Sequence, residues 1–217
     1  MPKTRTTTPR ISSALKAVDL RQTPRPLIIG ERLNTQGSRK AKEMVLRDDL
    51  DGLLTLARSQ VEDGAHCIDV CVATTERSDE SQVMTKLVKR LSLEIDAPLV
   101  IDSTDPAVME AAVKQIPGKP VINSINLEGD GARFHKLSPL MSRYGLAAIA
   151  MCIGPKGMAK TPEEKLFSQL PPIFIPHSIN GFLVTSNSPP SGFKLCLNTK
   201  PKGDCVPIST SVNTSAS

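Results

Sequence analysis

Aromatic side chains are almost missing from this chain: no Trp, one Tyr and five Phe among 217 residues. A nucleic-acid surface needs basic residues gathered on one face, often with aromatics for base stacking, so that class of partner is excluded. Charge is sparse as well. The net +5 comes from 27 basic and 22 acidic residues. Its excess gathers before the first strand, where Lys3, Arg5, Arg10, Lys16, Arg21 and Arg25 face only Asp19. No apolar run approaches the about 20 residues of a membrane span, and Met1 to Pro26 has no apolar segment of a secretory leader. No membrane partner is expected. Cysteine is limited to an odd five: Cys67, Cys71, Cys152, Cys196 and Cys205. The first three fall in apolar runs, which predicts reduced thiols and a cytoplasmic setting. Cys67 and Cys71 share a strand face, but no other ligand stands at metal spacing, so no metal site is expected.

What the chain does have is a repeat. Met1 to about Arg25, rich in Thr, Arg, Ser and Pro, reads as a flexible basic arm with a turn of helix near Ala14 to Leu20. Its Arg-rich, acid-poor character is also that of a transit peptide. Arg25 to Glu31 then gives a first strand, followed by a loop from Arg32 to Arg39. Leu50, Leu53, Leu54, Ala57 and Val61 recur at helical spacing, and Gly64 stops that helix. Strand two is Cys67 to Val72. Its helix, capped by Ser78, carries Val83, Met84, Leu87, Val88 and Leu91. Strand three is Leu99 to Ile101, with Val108, Met109, Ala112, Val113 and Ile116 on the helix after it. Strand four is Pro120 to Ile125; Phe134, Leu137, Leu140, Met141 and Tyr144 mark the next helix. Strand five is Leu146 to Ile153, and a capping box at Thr161 to Glu164 opens one more helix.

Five such units, with apolar strands and amphipathic helices in alternation, predict a parallel sheet covered by helices. Polar groups end several of the strands: Glu31 and Asn34, Asp69, Asp102, Asn123. Without a Gly-rich dinucleotide fingerprint after strand one, this favours a (β/α)8 barrel, whose ligands sit at the carboxyl ends of the strands. Asp102 and Asn123 could each instead cap the following helix. Taken jointly, two carboxylates and two amides suit a polar, neutral heterocycle: the carboxylate accepts paired N–H donors and the amide both donates and accepts. A phosphate would call for Arg or a helix N-terminus.

After about Leu166 the pattern stops. Seven prolines, Pro171, Pro172, Pro176, Pro189, Pro190, Pro201 and Pro207, interrupt a Ser- and Thr-rich stretch with few charges. The reading divides the chain into an arm at 1–25, the N-terminal part of a barrel at 26–166, and a disordered tail at 167–217 that resembles sequence unrelated to the domain. A full barrel usually takes about 250 residues, so this one is expected to be C-terminally truncated.

The motifs GERLNTQGSRK (Gly30 to Lys40), DGAHCIDV (Asp63 to Val70), VIDST (Val100 to Thr104), GKPVINSIN (Gly118 to Asn126) and GMAKTPEEK (Gly157 to Lys165) occur in this order. They resemble the pterin-binding domain of methyltetrahydrofolate-corrinoid methyltransferases, the family of the folate domain of cobalamin-dependent methionine synthase. The resemblance implies a (β/α)8 TIM-type barrel that binds methyltetrahydrofolate. It also implies a corrinoid (cobalamin) acceptor carried by a partner protein or domain. Asp102 and Asn123 match the family's pterin ligands, and Asn34 and Asp69 match positions lining the same mouth. The catalytic Asn expected to address N5 belongs to a later strand whose motif does not occur after Phe167. Cys71 stands where the family often has Asn. A homodimer is one open option. Dihydropteroate synthases share the barrel, but the Ser-Thr-Arg-Pro loop that family carries after strand two is ATTERSDES here (Ala73 to Ser81). The remaining alternative is a pterin-binding fragment without turnover.

Overall fold

A computed structural model describes residues 9–151, 153–155, 157–158 and 160–161, and the backbone strand at 182–185. The chain opens with a hairpin, β1 (Arg10–Ser12) and β2 (Ala17–Asp19). The repeat follows: β3 (Ile29–Asn34), α1 (Arg39–Leu46), α2 (Leu50–Glu62), β4 (Cys67–Cys71), α3 (Glu80–Glu94), β5 (Leu99–Asp102), α4 (Pro106–Val113), β6 (Val121–Ile125), α5 (Ala132–Tyr144) and β7 (Ala147–Met151). A short hairpin, β8 (Ile153–Gly154) with β9 (Gly157–Met158), and the strand β10 (Phe182–Thr185) complete the described elements. The sheet order is β10-β7-β6-β5-β4-β3, every pair parallel. This is the expected parallel α/β architecture, part of a TIM-type barrel. Among the described residues no helix is long and apolar enough to cross a membrane.

Side-chain alternation divides each strand between two cores. Ile68, Val70, Leu99, Ile101, Ile122, Ala148 and Ala150 face the helices, where they bury Leu54, Met84, Leu87, Met109 and Leu137. The other face is layered along the strands. On it Cys67, Val100, Val121, Ala147 and Ile149 form one cluster with Ile11, Val18 and Leu20 of the first hairpin. The same face carries Asp69 in the middle of β4 and, one step nearer the carboxyl ends, Asp102 and Asn123. Local chemistry fixes the helix starts. Ser38 Oγ accepts from Ala41 N at 3.2 Å, Asp49 Oδ1 from Gly52 N at 2.8 Å, and Asp105 Oδ1 from Ala107 N at 2.8 Å with Pro106 at the first helical position.

Four expectations change. The helical turn near Ala14 to Leu20 is a strand, because Ile11 and Val18 pair across the hairpin and bury one side of it. Gly118 seats that hairpin at the floor of the sheet: its φ is +114°, and an added Cβ would lie 2.5 Å from Ser12 O, beside the Ser12–Lys119 backbone pairing. The first strand runs on to Asn34, into the stretch read as loop, with a register shift at Glu31 and Arg32, and an additional helix, α1, precedes the one expected from Leu50. The cap of α3 is Asp79 rather than Ser78. Finally, the tail does contribute a parallel strand, β10, set against Ala148 to Met151; Phe-Leu-Val-Thr is a β-forming run. The helix expected after Thr161, and Cys152, Cys196 and Cys205, lie outside the described residues.

The hairpin's role gives a stability prediction. Ile11 is fully buried and Leu15, at the hairpin tip, is 76% exposed. Ile11→Ala should cost roughly 2–4 kcal/mol in urea unfolding, and Leu15→Ala no more than about 0.5 kcal/mol. Equal effects would mean that the hairpin does not close the floor.

Candidate functional site

Asp69 lies in the middle of β4, not at its end, and is 2% exposed. A carboxylate at that depth needs donors on both oxygens. Asn34 Nδ2, from the end of β3, donates to Asp69 Oδ2 at 3.0 Å; Asn123 Nδ2, from β6, donates to Asp69 Oδ1 at 3.2 Å. The second hydrogen of Asn34 Nδ2 goes to Asp102 Oδ2 at 3.0 Å. Gln36 N donates to Asn34 Oδ1 at 2.9 Å, which turns the amide so that its nitrogen faces both acids. Thus β3, β4, β5 and β6 each place one of the four sequence-predicted residues, and all four join a single network.

Sheet register explains how two of them end at the surface of that network. Asp69 is level with Val100, while Asp102 is level with Asn123. Asp69 therefore sits one inward-facing position deeper. Asn34 is fully used by its neighbours. Asp102 Oδ1 and Asn123 Oδ1 accept no hydrogen bond from the described residues, and one Asn123 Nδ2 hydrogen is uncommitted. Acceptor, acceptor and donor thus stand side by side on adjacent strands, half-buried, as a flat polar heterocycle requires. An open cleft of about 730 Å³ adjoins Asn34, lined by Glu31, Arg32, Gln36, Arg39 and Lys40 among others.

Burial pushes Asp69 up to about 6; the carboxylates of Asp102 and Glu31 add to the rise, and the amides of Asn34 and Asn123 oppose it. Asp102 also rises, again chiefly through burial, with Glu31 and Glu80 adding while the Asn34 amide and the Arg133 guanidinium counteract. Burial drives the Cys67 thiol up to about 12 and raises Cys71 too, so both stay protonated and unreactive at neutral pH. Among the described residues no cluster of three or more His, Cys, Asp or Glu is placed to hold a metal ion.

Sequence reading missed three participants. Gln36 orients Asn34, Glu80 Oε1 accepts from Ser103 Oγ at 2.7 Å, and Arg133 grips the turn after β5 and the backbone of β6 at Ser124. For Arg133 a signal was available: a cation at the second position of α5 opposes the helix dipole, so a tertiary partner is called for.

A pterin-binding enzyme family matches residues 30–170. Methionine synthase of Mycobacterium tuberculosis is 36% identical over 161 residues, 73% of this chain and 13% of the relative. That of Mycobacterium leprae is 37% identical over the same length and shares. This chain therefore spans only a small part of these relatives. Among solved structures, dihydropteroate synthase of Xanthomonas albilineans in complex with indole-2-carboxylic acid and 6-chloroguanine aligns with a TM-score of 0.55. It is 19% identical, over 82% of this chain and 64% of that one, and so supports the fold.

Asp69 gives a pH prediction. A carboxyl held at about 6, against a usual 3.8, favours folding in its protonated form. That contribution is complete below about pH 4 and disappears as pH rises through about 6. Between pH 4 and 7 the stability of wild type relative to Asp69→Asn should therefore fall by roughly 2–3 kcal/mol. A difference that stays flat in urea titrations across this range would contradict the assignment.

Proposed function

We infer the activity from one premise: this chain belongs to the pterin-binding enzyme family. On that premise Asp102 and Asn123 take the pterin ring of methyltetrahydrofolate, with Asp69 and Asn34 as the support behind them. The observation that carries this reading is the uncommitted edge of Asp102 and Asn123, level with each other on β5 and β6. An anionic Asp102 accepts two N–H bonds from an amino-pyrimidine edge, and Asn123 supplies the donor and acceptor that a ring nitrogen or carbonyl needs. The ring would lie above a dry apolar layer, so orientation would come from these few polar contacts.

The reaction we propose is transfer of the N5-methyl group to a corrinoid. The corrinoid, held by a partner protein or domain, supplies the nucleophile. This chain's residues bind and orient the pterin so that the methyl faces outward. A tertiary amine leaves poorly, so N5 must gain a proton or hydrogen bond as its C–N bond breaks. None of the four residues is assigned to that atom. The identity of 36–37% to methionine synthases favours methyl transfer over dihydropteroate synthesis. A second reading, pterin binding without turnover, draws on the sheet itself: among the described residues it has six strands and does not close on itself.

Titration with methyltetrahydrofolate tests the site. Asp102→Ala should weaken binding roughly ten- to a hundredfold, the loss of charge-assisted hydrogen bonds. Asp105→Ala should leave binding intact and cost about 1 kcal/mol of stability, because Asp105 caps α4. Equal affinities would refute the site. Cob(I)alamin methylation followed by absorbance then separates the readings: binding with rates at least about a hundredfold below those of a full-length relative is expected if a preorganised N5 donor is missing, and comparable turnover would favour the complete reaction.

A further inference from the structure

The backbone just past Asp102 and just past Asn123 is held by one side chain. Arg133 Nε donates to Ser124 O at 2.7 Å, Nη1 to Thr104 O at 2.8 Å and Nη2 to Ser103 O at 2.8 Å. Ser124 directly follows Asn123; Ser103 and Thr104 directly follow Asp102. The planar guanidinium, with five donors in a fixed fork, meets each of the three carbonyls, two after β5 and one on β6, with a different nitrogen; an ammonium has its three donors on a single nitrogen and does not reproduce that spread. Its place is otherwise unfavourable. Arg133 stands in the first turn of α5, which holds no acid, at the positive end of the helix dipole.

We propose that Arg133 is the positioning residue of this site, clamping the turn after β5 to the β6 backbone just past Asn123 and so holding the two side chains that the sheet register sets level, Asp102 and Asn123, in one fixed arrangement. What they hold rests on the pterin reading above; the clamp does not. The clamp also places a positive charge near Asp102. The charged groups around that carboxyl are Glu31 from β3, Asp69 from β4 and Glu80 from α3, all acidic, and Arg133 from α5. Of these charged groups Arg133 is the one that favours the Asp102 anion, adding to the hydrogen bond from the Asn34 amide.

Carboxyl-carbon NMR on the unliganded 217-residue chain, wild type, Arg133→Lys and Arg133→Met, reads the charge directly. The Asp102 midpoint should rise in Arg133→Met and barely move in Arg133→Lys. Calorimetric titration with methyltetrahydrofolate reads the geometry. Arg133→Met should bind about tenfold or more weakly, with the acid limit of binding moved up in pH. Arg133→Lys should keep the wild-type acid limit yet recover only part of the affinity. Variants that melt earlier but keep the wild-type Asp102 midpoint and affinity would overturn the proposal, leaving Arg133 a purely structural residue. If Arg133→Met does not fold, wild-type affinity in Arg133→Lys overturns the fork argument by itself. A wild type that binds no methyltetrahydrofolate refutes the pterin reading, and the Asp102 titration still decides the clamp.

Discussion

A carboxylate sealed inside a parallel sheet must be surrounded by donors, and Asp69 is such a group. At 2% exposure it has no access to bulk water, and leaving it unpaired would cost several kcal/mol. The donors come from strands on both sides and beyond. Asn34 ends β3, one strand away, and Asn123 lies on β6, two strands away. Asn34 reaches Asp69 from the neighbouring strand, and Asn123 reaches it across β5. Asn34 extends the network to Asp102, and Gln36 N fixes the Asn34 amide so that its two hydrogens point at the two acids.

Below this polar layer the concave face is dry. Val100, Val121, Ala147 and Ile149 alternate along their strands with outward residues that pack on the helices, and the first hairpin covers them with Ile11, Val18 and Leu20. The floor hairpin and the polar mouth lie at opposite ends of the same side-chain rows. A ligand at the mouth rests on groups whose own positions are set by packing from beneath and by Arg133 from the rim. In the function proposed above, that division, a rigid apolar floor under a few preorganised polar groups, would let two half-buried residues recognise a ring with little reorganisation.

Much of this was legible in the chain. β4 to β7 and four of the helices announce themselves through apolar runs and helical spacing, and Asp102 and Asn123 through polar residues closing apolar strands. Other features were hidden for identifiable reasons. The strands of the first hairpin have three residues each, with a single buried side chain apiece, inside a Thr-, Arg- and Pro-rich stretch. α1 buries only Ala41 and Val45, too few for a visible stripe. Glu31 and Arg32 are exposed at a register shift, which disguised the rest of β3 as loop. Asp69 was read as a strand end; only the stagger between β4 and β5 shows that it lies deeper than Asp102. The three-carbonyl grip of Arg133 is a tertiary arrangement to which spacing alone gives only the hint of a misplaced charge.

The central claim is that Asp102 and Asn123 form the face that meets a pterin, while Asp69 and Asn34 stay behind it as support. A crystal structure of the chain with methyltetrahydrofolate tests this most directly. The account predicts the amino-pyrimidine edge within hydrogen-bond distance of Asp102 and the ring's opposing polar atoms at Asn123, with the Asn34–Asp69 bond of 3.0 Å retained. A pterin bound away from Asp102 and Asn123, or one that displaces Asn34 from Asp69, would contradict it.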